Sequence, residues 1–384
     1  MIKQFLPHRG IRGENTVKPE ETMVQCPRCR RVPAWTANIP AAPCAPGRTG
    51  MGHMGCKGGE GVETEMGQSA LTLWWKPAPD GAEVTAVTSG EQHVFLPERV
   101  RGLPVTALGH HAFSPNRPAP EGEPLRIVCG GGAPGDKPRG IGAVTLPPTL
   151  RRVGDYAFYN CSALKELHLA EPVNDWGSGV FMNCGHLCRF FIRAQDGRVE
   201  SLAYFAGELA TELDVSVDYP DGGIARLIFP EYREVLEENA PAHHFDFHLY
   251  GSGYPYRHVF RDRALSLQEY DRLFSGLLEK EHDPNCALRL AWHRLRAPRE
   301  LTEQSGERYL TYLKSRAEAV LAWLLEGRDS RGLAWFLPRS GADANALRTA
   351  AETARRLGLT ESLALLLERL REGGPEGLHK SFDL

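Results

Sequence analysis

The sequence lacks the features that mark several specialised protein classes. Its 384 residues contain no run of about 18 apolar residues, the length that a membrane-spanning helix needs. The opening "MIKQFLPHRGIRGENTV" has no apolar signal-peptide core. Positive charge is not in excess, since 45 Lys and Arg stand against 48 Asp and Glu, whereas nucleic acid favours a strongly basic face. We therefore expect a cytoplasmic protein that binds neither membrane nor nucleic acid.

Catalytic and cofactor motifs are equally scarce. No nucleophile elbow, two-His helix motif or kinase motif set occurs. "CGGGAPGDKPRG" shares only its glycines with a phosphate loop, because Lys137 does not directly follow the last of them and no Ser or Thr follows it. Nine cysteines without an export signal fit reduced thiols better than a disulfide framework. The sequence predicts neither an enzyme nor a cofactor.

A first metal-like pattern is the N-terminal "CPRC". Its two-residue gap would let Cys26 and Cys29 reach one Zn²⁺, and Cys44 and Cys56 could complete four ligands. Zinc sites usually contain a second closely spaced pair, which is missing here. A leader without metal is the favoured interpretation.

A second pattern is "HHFDFH". If this stretch is a strand, His244, Asp246 and His248 share one face and could hold a metal or relay a proton. No nucleophile or fourth ligand lies nearby in the sequence. A half-buried strand with a wet polar face is the simpler interpretation, and a metal-dependent enzyme or zinc-regulated factor is retained as an alternative.

The first 67 residues differ in composition from the rest of the chain. They include "NIPAAPCAPGRTGMGHMGCKGGEGVETEM", which is rich in Gly and Pro and has no lasting helical or strand periodicity. We expect a disordered leader. A further hypothesis is that translation begins at Met66, because "KGGEGVETEM" could be encoded by a purine-rich ribosome-binding stretch.

From Leu71 onward the chain contains short β-rich runs, and a repeat follows. "VTALGHHAF", "RRVGDYAF" and "NDWGSGVF" align so that steps of 45 and 23 residues separate their glycines. The aligned positions are Gly109, Gly154 and Gly177 in one column, and Phe113, Phe158 and Phe181 in another. The longer step indicates an insertion of about one repeat after Ser114, expected as a loop. Units of 23 residues cannot bury their own apolar faces and must stack, so the repeat predicts a solenoid.

The outward positions of successive coils form one row of side chains. This row, the ladder face, comprises Ala143, Thr145, Glu166, His168, Arg189 and Phe191. Repeat proteins bind partners on such extended faces, and an outward aromatic residue beside an arginine is an anchor that interfaces favour. We predict that Thr145, Glu166, His168, Arg189 and Phe191 contact a protein partner. The alternative is that the helical segment covers this face within the same molecule.

The repeat resembles a known family. "LPERVRGLPVTALGHHAF" and "IGAVTLPPTLRRVGDYAFYNCSALKELHL" are similar to bacterial leucine-rich repeats of the BspA or Treponema type. The resemblance implies a leucine-rich repeat solenoid that binds proteins. Because many similar repeat proteins are secreted, a surface adhesin is a further alternative.

The C-terminal third has helical signals. Ser266 precedes Glu269 by three residues, as in a capping box, and "DPNCALRLAWHRLR" places Pro284 at a first helical position. A third helix is expected to carry Leu310 to Leu324 on one face. The final stretch, with its "GADAN" turn at 341–345, resembles degenerate ankyrin repeats.

Taken along the chain, the sequence predicts an α+β multidomain protein. Its segments are a disordered leader (1–67), a leucine-rich repeat solenoid (68–193), a mixed α/β cap (194–262), an α-helical ankyrin-like module (263–374) and a tail (375–384). The leading hypothesis is a non-catalytic bacterial scaffold or adaptor. "YGSGYPYRHVF" loosely resembles clostridial leucine-rich repeat proteins, which implies an AAA ATPase or a von Willebrand A-type protein as partner.

Overall fold

The computed structural model describes residues 63–128, 140–239, 244–280 and 284–372. These residues fall into two compact units. The first unit is the described part of 45–320 together with 339–342, and the second is 321–338 together with the described part of 343–384. All described strands belong to the first unit.

The described strands all lie before residue 266. They are β1 (Glu63–Met66), β2 (Leu71–Ala78), β3 (Gly81–Ser89), β4 (His93–Phe95), β5 (Arg99–Val100), β6 (Leu103–Leu108), β7 (Glu123–Val128), β8 (Ala143–Thr145), β9 (Arg152–Val153), β10 (Glu166–Ala170), β11 (Asp175–Trp176), β12 (Arg189–Arg193), β13 (Leu213–Asp218), β14 (Ile224–Phe229), β15 (Tyr232–Asn239), β16 (His244–Gly251), β17 (Phe260–Arg261) and β18 (Ala264–Leu265).

Two of the described α-helices lie among these strands, and the other eight follow them. The helices are α1 (Glu200–Glu208), α2 (Gly253–Tyr256), α3 (Leu267–Arg272), α4 (Phe274–Lys280), α5 (Pro284–Arg296), α6 (Glu303–Ser315), α7 (Ala317–Glu326), α8 (Ser330–Phe336), α9 (Ala344–Arg356) and α10 (Thr360–Glu372). Among the described helices none is long and apolar enough to cross a membrane.

Two sheets form the walls of the predicted solenoid. One has the order β1-β7-β2-β3-β6-β9-β11, with β5 paired to β6, and the other has the order β14-β13-β12-β10-β8-β4. Along each strand of the second sheet every other residue points inward, because strand side chains alternate. Val144, Leu167, Phe190 and Val215 are therefore fully buried between the sheets. The predicted leucine-rich solenoid is confirmed.

The repeated turns supply the aromatic core. The Phe158 ring stacks on Phe113 at 4.7 Å between centroids and on Phe181 at 5.6 Å. The glycine column fits the close passage of successive coils. A Cβ on Gly154 would lie 2.8 Å from the carbonyl carbon of Gly109, a contact that only glycine avoids.

Three features of the solenoid differ from the sequence prediction. The insertion after Ser114 is not only a loop, since it contains β7, which pairs with β2. The end of the segment expected to be disordered forms β1, which pairs in parallel with β7. The second sheet continues past residue 193, because β13 lies parallel to β12 in the same register.

The C-terminal end of the second sheet is closed by antiparallel β14 and by helices. The Phe205 side chain of α1 stacks on Phe190 at 4.6 Å and contacts Phe181 edge-on. Helix α5 packs against β14. The last coil is thus covered, as an exposed end of a stack must be.

The helical region is present as predicted, with one difference. The Ser266 side chain accepts a hydrogen bond from the Glu269 amide at the start of α3, and α5 begins at Pro284. The expected third helix is interrupted at Arg316, which separates α6 from α7. Helices α9 and α10 pack on each other, and their likeness to ankyrin repeats stays a prediction.

Candidate protein-binding face

Strand register brings the five predicted site residues together. Glu166 lies opposite Arg189 on the neighbouring parallel strand, and His168 lies opposite both Thr145 and Phe191. Parallel strands are about 4.8 Å apart, so these side chains form two adjacent rows on the outside of the sheet. All five are half-buried. Their contact with a partner stays a prediction.

An aromatic column follows the second of these rows and also includes the ring of His93, which belongs to the first row. The His168 ring stacks on Phe191 with centroids 4.3 Å apart and an interplanar angle of 13°. His93 lies 5.2 Å from His168 and stacks on Phe95 at 4.2 Å. The His93 Nε2 atom is 2.9 Å from the Thr145 hydroxyl. Stacking in this way holds the half-buried rings in fixed positions on the outside of the sheet.

The ladder face therefore extends to β4, which the sequence analysis missed. His93 pairs with Ala143, and Phe95 pairs with Thr145. The spacing from Phe95 to Thr145 is 50 residues instead of 23, because the insertion separates the two coils. The Leu-Pro that follows both "HVF" and "AVT" could have revealed the alignment.

A charged row adjoins the aromatic column. Glu166 forms an ion pair with Arg189, and its Oε2 atom lies 3.5 Å from His168 Nε2. The His168 imidazole and the Arg189 guanidinium hold the pKa of Glu166 below its ordinary value. Burial and the neighbouring His168 lower the pKa of His93. At neutral pH the row thus carries a paired carboxylate beside neutral His93.

Helix α5 packs against β14, at the end of the second sheet that lies beyond the ladder face. Its Arg289 forms an ion pair with Glu212, which immediately precedes β13. Burial raises the pKa of the Asp214 carboxyl on β13, and Arg289 and Arg189 oppose that shift. The alternative that the helical segment covers the ladder face stays a prediction.

The histidine pattern forms a strand in a separate two-stranded hairpin. In β16, Asp246 lies opposite Glu237, and His248 Nε2 is 4.0 Å from Glu237 Oε2. On the other side of the strand, Phe245 and Phe247 are 56% and 58% exposed. Within the described residues no three His, Cys, Asp or Glu side chains are grouped to hold a metal. Cys26, Cys29, Cys44, Cys56 and Lys137 lie outside the described residues.

Comparison with known proteins identifies the repeat. Residues 139–214 match the family model described as "BspA type Leucine rich repeat region", in 6 copies. The solved structure titled "Crystal structure of T. pallidum Leucine Rich Repeat protein (TpLRR)" matches 31% of this chain and 68% of that chain, with 20% identity and a TM-score of 0.19. No curated protein matches the chain. Residues 139–214 are thus similar to BspA-type leucine-rich repeats.

Proposed function

We propose that this chain is a non-catalytic, cytoplasmic scaffold that binds another protein through the ladder face. The observation that carries the proposal is the in-register row formed by Phe95, Thr145, His168 and Phe191, with the His93 ring stacked on Phe95 and 5.2 Å from His168. A rigid aromatic column flanked by an ion pair has the composition of an interface anchor, in which aromatic and arginine side chains dominate the binding energy. The partner classes to test first are AAA ATPases and von Willebrand A-type proteins.

The test uses the full chain as bait in a pull-down from native lysate. Three baits are compared: the unchanged chain, a His168→Ala/Phe191→Ala variant, and a Met182→Ala control. Met182 is half-exposed on a turn that precedes β12, so its truncation removes a similar apolar side chain away from the ladder face. We expect a partner that the first and third baits retain and the second loses by roughly 5- to 30-fold in affinity.

Photo-crosslinking tests whether the partner that the substituted bait loses contacts the ladder face directly. A benzophenone amino acid replaces Phe191 in one protein and Met182 in another. We expect the partner to crosslink at position 191 and not at 182. Equal capture by all three folded baits, or crosslinking only at 182, would refute the ladder face as the binding surface. Recovery of the protein from the cell surface in fractionation would favour the adhesin alternative.

A further inference from the structure

A cleft lined by arginines lies beside the ladder face, in the first compact unit. It is formed by the turn between β13 and β14, by the end of α5 and by the residues that follow α5, and it has a volume of about 480 Å³. Its lining residues are Gly222, Gly223, Ile224, Arg226, Arg296, Ala297, Pro298 and Arg299. Three of the eight carry positive charge and none carries a carboxylate. We name Arg226, Arg296 and Arg299 the arginine cleft.

Arg299 is held in position on one wall. Its guanidinium lies over the Tyr219 ring, 3.7 Å from the centroid, and its Nη1 donates to both oxygens of Asp221 at 2.8 and 3.1 Å. The buried Arg294 donates to the carbonyls of Ala297 and Arg299 at 3.3 and 3.0 Å. This wall is therefore fixed before any ligand arrives, which reduces the entropy lost on binding.

Arg226 supplies the opposite wall. Its side chain is exposed on β14, and its positive charge, with those of Arg289 and Arg189, opposes the raised pKa of the Asp214 carboxyl on the neighbouring strand. A guanidinium offers five N–H donors in a planar fork that matches a carboxylate. Behind it, burial together with Arg226 and Arg289 lowers the pKa of His293 to about 3, so this imidazole stays neutral and leaves the positive charge to the arginines.

Arg226 of the cleft lies in the same cross-strand row of the second sheet as Phe191. Phe191 lies opposite Ser216 on the next strand, and Ser216 lies opposite Arg226 on the strand after that. Two strand spacings place Arg226 roughly 10 Å from Phe191 along the row. An extended peptide covers this distance in about three residues.

We propose that the arginine cleft binds a side-chain carboxylate of the protein segment that lies on the ladder face. An apolar or aromatic side chain of that segment packs on His168 and Phe191, and an Asp or Glu about three residues away pairs with Arg226. The partner is therefore an acidic peptide segment. This inference rests on the proposed function, because it assumes that a protein occupies the ladder face.

The test compares two peptides on the full chain by titration calorimetry. The probes are acetyl-Trp-Gly-Gly-Glu-Glu-amide and its neutral counterpart acetyl-Trp-Gly-Gly-Gln-Gln-amide. We expect the acidic peptide to bind roughly tenfold more tightly, since charge-assisted hydrogen bonds exceed neutral ones. Arg226→Gln should abolish this ratio. The control Arg272→Gln, which changes an exposed arginine on α3, should preserve it. Phe191→Ala should weaken both peptides alike.

Three outcomes would overturn the inference. Equal affinity for the two peptides, or a ratio unchanged by Arg226→Gln, would show that the cleft does not select a carboxylate. If inorganic phosphate at saturating concentration binds at Arg226 while the two peptides bind with equal affinity, the cleft is a small-anion site. If neither peptide binds while Phe191 remains essential for partner capture, the inference fails and the proposed function stands.

Discussion

A buried ion pair in the helical part of the first unit allows the strongest quantitative prediction. Arg294 on α5 is 0% exposed and Asp271 on α3 is 2% exposed. Two parallel hydrogen bonds join them, from Arg294 Nε to Oδ1 at 2.7 Å and from Nη2 to Oδ2 at 2.8 Å. The Tyr309 hydroxyl of α6 donates to the same carboxylate at 2.8 Å. Three helices therefore meet at one desolvated carboxylate.

The perturbation is Asp271→Asn, which leaves a buried guanidinium without a counter-charge. Breaking one partner of a buried pair costs about 3–5 kcal/mol in the free energy of unfolding. The matched control is Arg272→Gln on the same helix. Arg272 pairs with Glu269 at 2.8 Å in an exposed i,i+3 arrangement, and such pairs contribute roughly 0–1 kcal/mol.

Urea unfolding, followed by circular dichroism at neutral pH, measures the difference in free energy of unfolding between Asp271→Asn and Arg272→Gln. Hydrogen exchange in α3, α5 and α6 shows whether the loss is local to these helices. In thermal unfolding we expect Asp271→Asn to lower the midpoint by roughly 6–15 °C, against a shift of a few degrees at most for the control. The double change Asp271→Leu/Arg294→Met should recover only part of the loss, because no charge stays buried but the Tyr309 hydroxyl loses its acceptor. Equal stability of Asp271→Asn and the control would refute the reasoning.

Two further predictions concern the solenoid and its pH response. Gly154→Ala should destabilise the fold by about 1–3 kcal/mol, because the new Cβ meets the main chain of the preceding coil at 2.8 Å. The control Gly185→Ala, with open space around its Cβ, should be close to neutral. Equal urea midpoints for the two variants would contradict this prediction. His293, whose pKa burial, Arg226 and Arg289 lower to about 3, binds fewer protons folded than unfolded between about pH 3 and 6.5. Stability should therefore fall as the pH drops through this window, and the slope should flatten in His293→Gln; parallel pH profiles of unchanged and substituted protein would count against it.

The sequence predicted the solenoid because its repeat is a property of spacing. Strands that recur every 23 residues must pair in register once the coils stack. The spacing alone therefore predicts that His168 pairs with Phe191 on the neighbouring strand. The same counting failed at Phe95, where the insertion changes the spacing. It also missed the coil that ends in β13, because helix α1 precedes this strand instead of the usual Ala-Phe turn.

The arginine cleft shows a different limit of sequence reasoning. Arg226 and Arg299 are 73 residues apart, and neither belongs to a motif. They meet because α5 packs on β14, which depends on the fit of buried side chains and not on any local period. Apolar stripes predict that a helix has a buried face, yet they do not say which strand receives it.

The packing of α5 on the solenoid gives the ladder face a direction. At the β14 end of the second sheet, α5 and the residues after it bring Arg296 and Arg299 beside Arg226. A repeat alone would present similar chemistry along its whole length, so a bound segment could slide from coil to coil. If a protein segment lies on the ladder face, as we propose, an aromatic column at one end and positive charge at the other would fix both its register and its polarity. The helix that closes the stack would then also give the ladder face its specificity.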